Sequence, residues 1–237
     1  MTEIEIAENF HRVREQIANA EKSSGRKEGS VRLCAVSKFH PAEDVMAAIK
    51  ANQFLFGENR VQEAYGKFNS DLLKNQDCHL HIIGQLQSNK VKKAVEVAEC
   101  IQSVDRESLI GEIEKQAAKL NKKIEVFFEI HTAEDSKSGY ENLDALYVSA
   151  ENFCKGIYPH VVPVGLMTMA PFTQDEIPVR KSFSTLRTLL DEMNLKFPEL
   201  QMSELSMGMS GDYRIAIEEG STMVRVGTAL FGERIYQ

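Results

Sequence analysis

The sequence predicts an α/β protein, a single (β/α)8 barrel of the TIM type with an extra N-terminal helix. Short β-rich apolar runs alternate with longer segments whose apolar residues recur at helical spacing. There are eight such runs, and strands that alternate with helices form parallel sheets through right-handed crossovers. The length of 237 residues lies near the lower end of this fold's size range, about 200 residues. We therefore expect residues 1–237 to form one domain.

The strand and helix candidates follow one another in a regular order. The strand candidates are residues 31–36, 54–57, 79–84, 100–104, 124–130, 161–167, 202–208 and 223–227. Crossover helices are predicted from the apolar spacing within residues 41–52, 88–99, 105–121 and 175–194. The amphipathic segment 3–22 precedes the first strand and predicts the extra helix. A doubly wound open sheet is the competing fold, but its first turn is often rich in glycine, whereas AVSKFHP (35–41) has none.

Composition and motifs argue against several classes of function. Hydrophobic residues make up 43% and charged residues 27% of the chain, as in ordinary globular proteins. A net charge of −7 argues against broad electrostatic binding to nucleic acid or to an acidic membrane. The sequence shows no signal peptide, membrane span or glycine-rich nucleotide-binding motif. Four cysteines without zinc-ligand spacing favour a reducing cytoplasm.

The first strand ends next to a lysine that is a candidate nucleophile. Functional groups of TIM-type barrels cluster on the loops that follow the strands. Alternation places Cys34, Val36 and Lys38 on one face of the strand, so Lys38 enters the rim of the barrel if that face points inward. Partial desolvation near another cation lowers the pKa of a lysine and favours the nucleophilic amine. For a lysine taken alone, an ordinary surface position at a strand end is the commoner case.

The end of the chain carries features of a phosphate site. SMGMSGD (206–212) places small residues just before the helical stretch 212–219, and helix N-termini with flexible lead-ins bind phosphate. The turn VGTALFG (226–232) could supply further N–H donors. In this fold, the loops after strands seven and eight frequently hold a phosphate. The alternative is that the glycines only form turns and that Ser210 only caps the helix.

A charged residue interrupts the last apolar strand. Arg225 lies within MVRVG (223–227), where an unpaired buried charge would be costly. It therefore needs a carboxylate partner, or a ligand that offers a ring nitrogen or a phosphate. A lysine that forms a Schiff base, a phosphate cradle and a group facing a pyridine nitrogen are together the components of a site for pyridoxal 5′-phosphate (PLP).

Several segments, taken together, resemble the pyridoxal phosphate homeostasis proteins (the YggS/PROSC group). They are AVSKFHP, FGENRVQE, HIIGQLQSNK, EDSKSG, GLMTM and LSMGMSGDYRIAIEEGSTMVRVGTALFGER. They run in order from about residue 30 to residue 234, and the long last block is the most specific. The resemblance implies a barrel like the N-terminal domain of alanine racemase, with PLP held as a Schiff base on Lys38.

The resemblance also implies roles for individual residues. Asn59 would lie near the cofactor ring, and Arg225 would face the pyridine nitrogen. The phosphate would be held by Ser210, Gly227 and Thr228. The full predicted cofactor-binding set is Lys38, Asn59, Ser206, Met209, Ser210, Arg225, Gly227 and Thr228. We predict no metal site and no catalytic residue.

Two places in the chain leave the interpretation open. The family usually has an asparagine-containing V-N-x stretch before EDSKSG, but this chain has His131 and Thr132, which leaves the chemistry after strand five undecided. Lys137 in that loop could approach a phosphate, although a solvated lysine is the commoner case. His79 and His81 alternate on strand three like a metal pair, but no third ligand stands at an informative spacing.

The predicted site bears on what the protein does. Arginine does not accept a proton, so it should keep the pyridine unprotonated and a poor electron sink, which disfavours chemistry of the transaminase kind. The resemblance implies a PLP carrier or regulator without turnover, which influences amino-acid and keto-acid balance and has PLP-dependent apoenzymes as recipients. We expect a monomer.

Two enzymatic alternatives stay open. One is a PLP-dependent racemase-type enzyme of low activity, although racemases of this kind add a C-terminal β domain for which we expect no room before Gln237. The other is a Schiff-base aldolase for a phosphorylated sugar, which would share the lysine and phosphate features but not the long C-terminal block.

Overall fold

The computed structural model describes residues 1–132, 139–140 and 142–233, and in them eight parallel strands form a closed barrel in sequence order. The strands are β1 Arg32–Val36, β2 Leu55–Glu58, β3 His79–Ile82, β4 Cys100–Val104, β5 Ile124–Glu129, β6 Val161–Met167, β7 Glu204–Ser206 and β8 Met223–Val226. Pairing of β1 with β8 closes the barrel, which confirms the predicted fold and excludes the open sheet. All eight predicted strands are present, with ends that differ by at most two residues, and the predicted bounds of β4 and β6 match at both ends.

Helices surround the barrel. They are α1 Glu3–Ser23, α2 Ala42–Lys50, α3 Val61–Phe68, α4 Val91–Val97, α5 Glu107–Leu120, α6 Leu143–Cys154, α7 Glu176–Lys196, α8 Tyr213–Glu218 and α9 Thr228–Phe231. Those predicted from apolar spacing are confirmed, whereas α3, α6 and α9 lie outside the segments predicted to be helical. In the described part of the chain, none of the helices is long and apolar enough to cross a membrane.

The extra helix α1 packs against helices that come from the beginning and from the end of the barrel. Thr2 and Glu5 form a reciprocal capping box that starts the helix. Its apolar face contacts α2, α8 and α9. There the ring of Phe10 meets the ring of Phe231 edge-on, with centroids 5.6 Å apart, and the side-chain amide of Asn9 donates to the carbonyl of Leu230 at 3.1 Å. Helix α1 therefore supports α9, the short helix after β8.

Alternation along the strands divides the buried apolar residues into two clusters. The larger one fills the space between strands and helices and includes Ala35. The smaller one joins residues of five strands inside the barrel: Cys34, Cys100, Phe127, Met167 and Met223. Cys34 thus points inward, as the prediction for Lys38 required. Burial raises the pKa of the Cys34 thiol to about 12, so this cysteine acts as a small apolar residue.

Candidate cofactor site

A cavity of about 800 Å³ opens at the carboxyl ends of the strands, the end where barrels of this kind carry their sites. Seven of the eight predicted site residues line it: Lys38, Asn59, Met209, Ser210, Arg225, Gly227 and Thr228. The eighth, Ser206, is buried below the cavity and contacts Arg225. The fold therefore brings together residues that are almost two hundred positions apart in the sequence.

The backbone that follows Lys38 has an unusual conformation. Val36 and Lys38 both line the cavity, so the alternation of β1 continues past its last residue. Phe39 has a φ of 67°, in the left-handed region that few residues other than glycine adopt. Its N–H donates to Oε1 of Glu63 at 2.6 Å. This bond compensates part of the backbone strain and fixes the position from which the Lys38 side chain starts.

A buried ionic cluster holds the same loop from the other side. We call Ser37, Glu58, Glu63 and Lys67 the Lys67 cluster. The Lys67 ammonium donates to Oε1 of Glu58 at 2.7 Å and to Oε1 of Glu63 at 3.0 Å. It also donates to the Ser37 carbonyl at 2.7 Å, and the Ser37 hydroxyl donates to Oε1 of Glu58 at 2.7 Å. Both neighbours of Lys38 are therefore tied to one cluster.

Arg225 reaches the cavity from β8 and is 4% exposed. Its Nη1 donates to the carbonyl oxygen of Ser206 at 2.6 Å and to its hydroxyl at 2.7 Å, and its Nη2 donates to the carbonyl oxygen of Thr168 at 2.8 Å. Guanidinium has five N–H donors, so two of them have no acceptor among the described residues and are open to a ligand. The bonded acceptors are carbonyls and a hydroxyl, where the sequence alone indicated a carboxylate or a ligand. Burial lowers the pKa of Arg225, but arginine stays protonated.

Two loops supply backbone donors next to this arginine. Gly208 has a φ of +95°, and an added Cβ would lie 2.6 Å from Cβ of Ala216 in α8, so the turn after β7 requires glycine. Asp212 closes the turn by accepting a hydrogen bond from the Met209 N–H at 2.5 Å. Four cavity-lining N–H groups donate to no acceptor among the described residues: those of Ser210, Gly211, Gly227 and Thr228. Convergent N–H groups of this kind suit an anion.

The donor set fits PLP. A primary amine on Lys38 suits an aldehyde, two N–H donors of Arg225 suit a ring nitrogen, and backbone N–H groups suit a phosphate. All three features open on one cavity, which has room for a ligand of that size.

The chain matches the alanine racemase N-terminal domain family over residues 8–235. A pyridoxal phosphate homeostasis protein from Aquifex aeolicus is 40% identical over 232 residues, which cover 97% of this chain and 98% of the relative. The protein of the same name from Escherichia coli is 35% identical over 236 residues, with 98% of both chains covered. The chain belongs to the pyridoxal phosphate homeostasis protein family.

Solved structures agree with this family assignment. PipY from Synechococcus elongatus, in a structure with PLP bound, is 36% identical and superposes with a TM-score of 0.84, covering 96% of this chain and 100% of PipY. An alanine racemase from Clostridium difficile superposes with a TM-score of 0.72 at 13% identity, and the match covers 94% of this chain but 57% of the racemase. The second likeness shows the shared barrel fold alone.

After β5 this chain has His131 and Thr132 where the family usually has an asparagine-containing stretch, and both residues are described in the structure. His131 is exposed. The Thr132 hydroxyl lies 2.7 Å from the hydroxyl of Thr168 and 2.6 Å from that of Ser182. Thr132 therefore ties the end of β5 to β6 and α7. Lys137 lies outside the described residues.

The two histidines of β3 have separate partners. Nδ1 of His79 lies 2.7 Å from Oε2 of Glu99 at the exposed start of the strand. Nδ1 of His81 lies 2.8 Å from Nε2 of Gln102 in the buried interior. Within the described ranges, no three His, Cys, Asp or Glu side chains converge as metal ligands do.

Several cavity-lining residues were not assigned from the sequence. His40, Gln85, Glu129 and Asp212 join the predicted residues around the cavity, together with the loop before α7. Nδ1 of His40 lies 3.3 Å from Oδ2 of Asp44, and burial lowers its pKa. In the sequence, the signal for His40, Gln85 and Glu129 was their position at or just past the end of a strand, and that for Asp212 its position directly before α8.

Proposed function

We propose that this protein holds PLP as a Schiff base on Lys38 and acts in PLP homeostasis as a carrier or regulator, without catalytic turnover. The observation that carries the proposal is the meeting of Lys38, the two remaining donors of Arg225 and four backbone N–H groups on one cavity. Relatives that are 33% to 40% identical over nearly the whole chain are pyridoxal phosphate homeostasis proteins, and PipY has a structure with PLP bound.

PLP supplies two groups. Its aldehyde condenses with an amine, and its pyridine ring draws electrons from the resulting C=N bond. Lys38 provides the amine at the rim of the barrel. Arg225 offers N–H donors to the ring nitrogen and gives up no proton to it, since a guanidinium remains charged near neutral pH. The N–H groups of residues 210–211 and 227–228 hold the phosphate.

The same arginine disfavours turnover of the transaminase kind and leaves racemase-type chemistry open. A ring nitrogen that accepts a hydrogen bond from arginine stays unprotonated, and an unprotonated ring stabilises a neighbouring carbanion weakly. Weak racemase-type activity is the second candidate function, and the match to the alanine racemase N-terminal domain family over residues 8–235 favours it.

The remaining parts of the proposal concern the protein in its setting. Residues 1–237 act as one PLP-binding domain and as a monomer, and PLP-dependent apoenzymes receive the cofactor. The four cysteines are free in the structure, which supports a reducing compartment such as the cytoplasm. Light scattering after size exclusion tests the monomer, because a stable dimer would contradict it.

The test of the cofactor site is labelling of the purified protein. Incubation with PLP, reduction with borohydride and peptide mass spectrometry should place the label on Lys38, and Lys38→Ala should lose the visible absorption band. Lys155→Ala is the matched control, since the Lys155 side chain is 63% exposed and lies outside the cavity lining. Absence of PLP uptake by the unaltered protein, or a label on another lysine, would refute the proposal.

A second assay addresses turnover. The loaded protein is incubated with a panel of amino acids and assayed for racemisation, transamination and decarboxylation. Only background rates are expected. Robust turnover of any one amino acid would overturn the carrier role while leaving the cofactor site in place.

A further inference from the structure

A line of polar side chains crosses the interior of the barrel below the cavity. We call His81, Gln102, Ser206 and Arg225, from β3, β4, β7 and β8, the interior chain. The Ser206 hydroxyl donates to Oε1 of Gln102 at 2.6 Å, and Nε2 of Gln102 lies 2.8 Å from Nδ1 of His81. All four residues are buried, with at most 4% of their surface exposed. Gln102 and His81 do not line the cavity.

The chemistry of the four groups gives the interior chain one direction. A guanidinium only donates, so the Ser206 oxygen must accept from Arg225. The single Ser206 hydrogen is then directed to Oε1 of Gln102, and this bond fixes which end of the amide carries the oxygen. Nε2 of Gln102 must therefore donate to Nδ1 of His81, which leaves the proton of the imidazole on Nε2.

The far end of the interior chain is a neutral histidine. Burial lowers the pKa of His81 to about 3, so Nδ1 keeps its lone pair throughout the neutral range. A protonated ring would present an N–H to the amide and would favour the opposite amide orientation. Ser206 would then lose its acceptor, and its hydrogen would compete with the N–H of Arg225.

We propose that Gln102 and His81 are positioning residues that orient the guanidinium of Arg225 toward the ring nitrogen of the bound cofactor. The inference rests on the proposed function. Because the interior chain is uncharged apart from Arg225, it fixes the guanidinium without neutralising it, as a carboxylate would. Asp212 and Glu129 line the same cavity and act on Arg225 through space, but neither forms a hydrogen bond with it among the described residues. The guanidinium therefore keeps N–H donors for the ligand, and its charge lowers the basicity of the ring nitrogen.

The test is a pH titration of the absorption spectrum of the PLP-loaded protein, together with its affinity for PLP. Gln102→Leu keeps an apolar volume but cannot accept from Ser206. It should move the midpoint of the spectral titration to higher pH, because a poorly oriented guanidinium lowers the basicity of the ring nitrogen less. It should also weaken PLP binding by about tenfold, the strong end of the range for one neutral hydrogen bond. Gln102→Glu should restore the affinity for PLP in mildly acidic buffer, because a protonated carboxyl offers one acceptor and one donor, as the amide does.

Two further variants separate positioning from simple loss of packing. His81→Phe keeps a ring but removes the Nδ1 acceptor, and it should shift the midpoint in the same direction as Gln102→Leu. This variant tests the proposal independently if Gln102→Leu does not fold. Cys100→Ala removes a buried thiol beside the interior chain that forms no side-chain hydrogen bond with it, and it should leave the midpoint unchanged.

The outcomes distinguish the two proposals. If the unaltered protein takes up no PLP, the proposed function fails. If it binds PLP but Gln102→Leu and His81→Phe titrate as it does, or if Cys100→Ala shifts the midpoint equally, the inference alone is refuted.

Discussion

Replacing Lys67 by methionine should destabilise the protein by about 3–5 kcal/mol at neutral pH, the cost of removing one partner of a buried ion pair. The upper part of this range is expected because the Lys67 side chain is 7% exposed and that of Glu58 is fully buried. The ammonium also donates to the Ser37 carbonyl and to Glu63. Methionine fills a similar volume but leaves all three acceptors without their donor.

The pH dependence of this loss has a definite sign. Burial raises the pKa of Glu58 above its ordinary value, although Lys67 and Ser37 act in the opposite direction. A carboxyl whose pKa is higher in the folded than in the unfolded state loses stabilisation as the pH rises through the folded-state pKa. Without Lys67 that pKa rises further. The difference in the free energy of unfolding between variant and parent should therefore be small in acid, below the ordinary glutamate range, and largest above neutrality.

Urea unfolding of both proteins, at one acidic and one mildly basic pH, measures these differences. Glu58→Gln combined with Lys67→Met is the matched control, because it removes both charges and should recover a large part of the loss. A Lys67→Met variant as stable as the parent at both pH values, or one with the same loss at both, would refute the reasoning. The same variant should also bind PLP more weakly, since the Lys67 cluster holds the backbone on both sides of Lys38.

Two further predictions concern the glycine turn and the cysteines. Gly208→Ala should lower stability by about 1–3 kcal/mol through its positive φ and its contact with α8, and it should weaken PLP binding. Gly211→Ala, which meets no atom within 4 Å, should change the melting temperature little; equal melting shifts would contradict the argument. In a thiol titration of the folded protein at mildly basic pH, exposed Cys154 should react although burial and Glu199 raise its pKa, while Cys34 and Cys100 stay inert until denaturant is added. Fast modification of either buried cysteine would be the contrary result.

The fold was accessible from the sequence because its signals are local. Eight β-rich runs separated by helical spacing determine a parallel barrel almost without reference to side-chain contacts. The error at β7 has a local cause. Residues 202–208 contain three apolar side chains, all of them buried, but the strand is Glu204–Ser206, because the positive φ of Gly208 turns the chain toward α8.

The site was predictable only in part, since its contacts join distant residues. Alternation placed Lys38 correctly, and the need for a partner singled out Arg225. The acceptors of Arg225 include backbone carbonyls, which residue types do not reveal. Gln102 is 104 positions from the serine it bonds. For Lys67, the sequence indicates only the i,i+4 ion pair with Glu63. Its hydrogen bond to the Ser37 carbonyl spans 30 positions and could not be predicted from the sequence.

Contacts between the N-terminal elements α1 and β1 and the C-terminal elements β8 and α9 determine when, during synthesis, the candidate cofactor site can form. β1 pairs with β8, and α1 packs against α9. The first and last elements of the barrel therefore depend on each other for their contacts. During synthesis the N-terminal elements leave the ribosome first, and β1 keeps an unpaired edge until β8 emerges. Lys38 is exposed to the cell early, but the N–H groups of residues 210–211 and 227–228 join it last. The nascent chain thus has the Lys38 amine before it has these N–H groups in place, so the proposed cofactor loading requires the finished barrel.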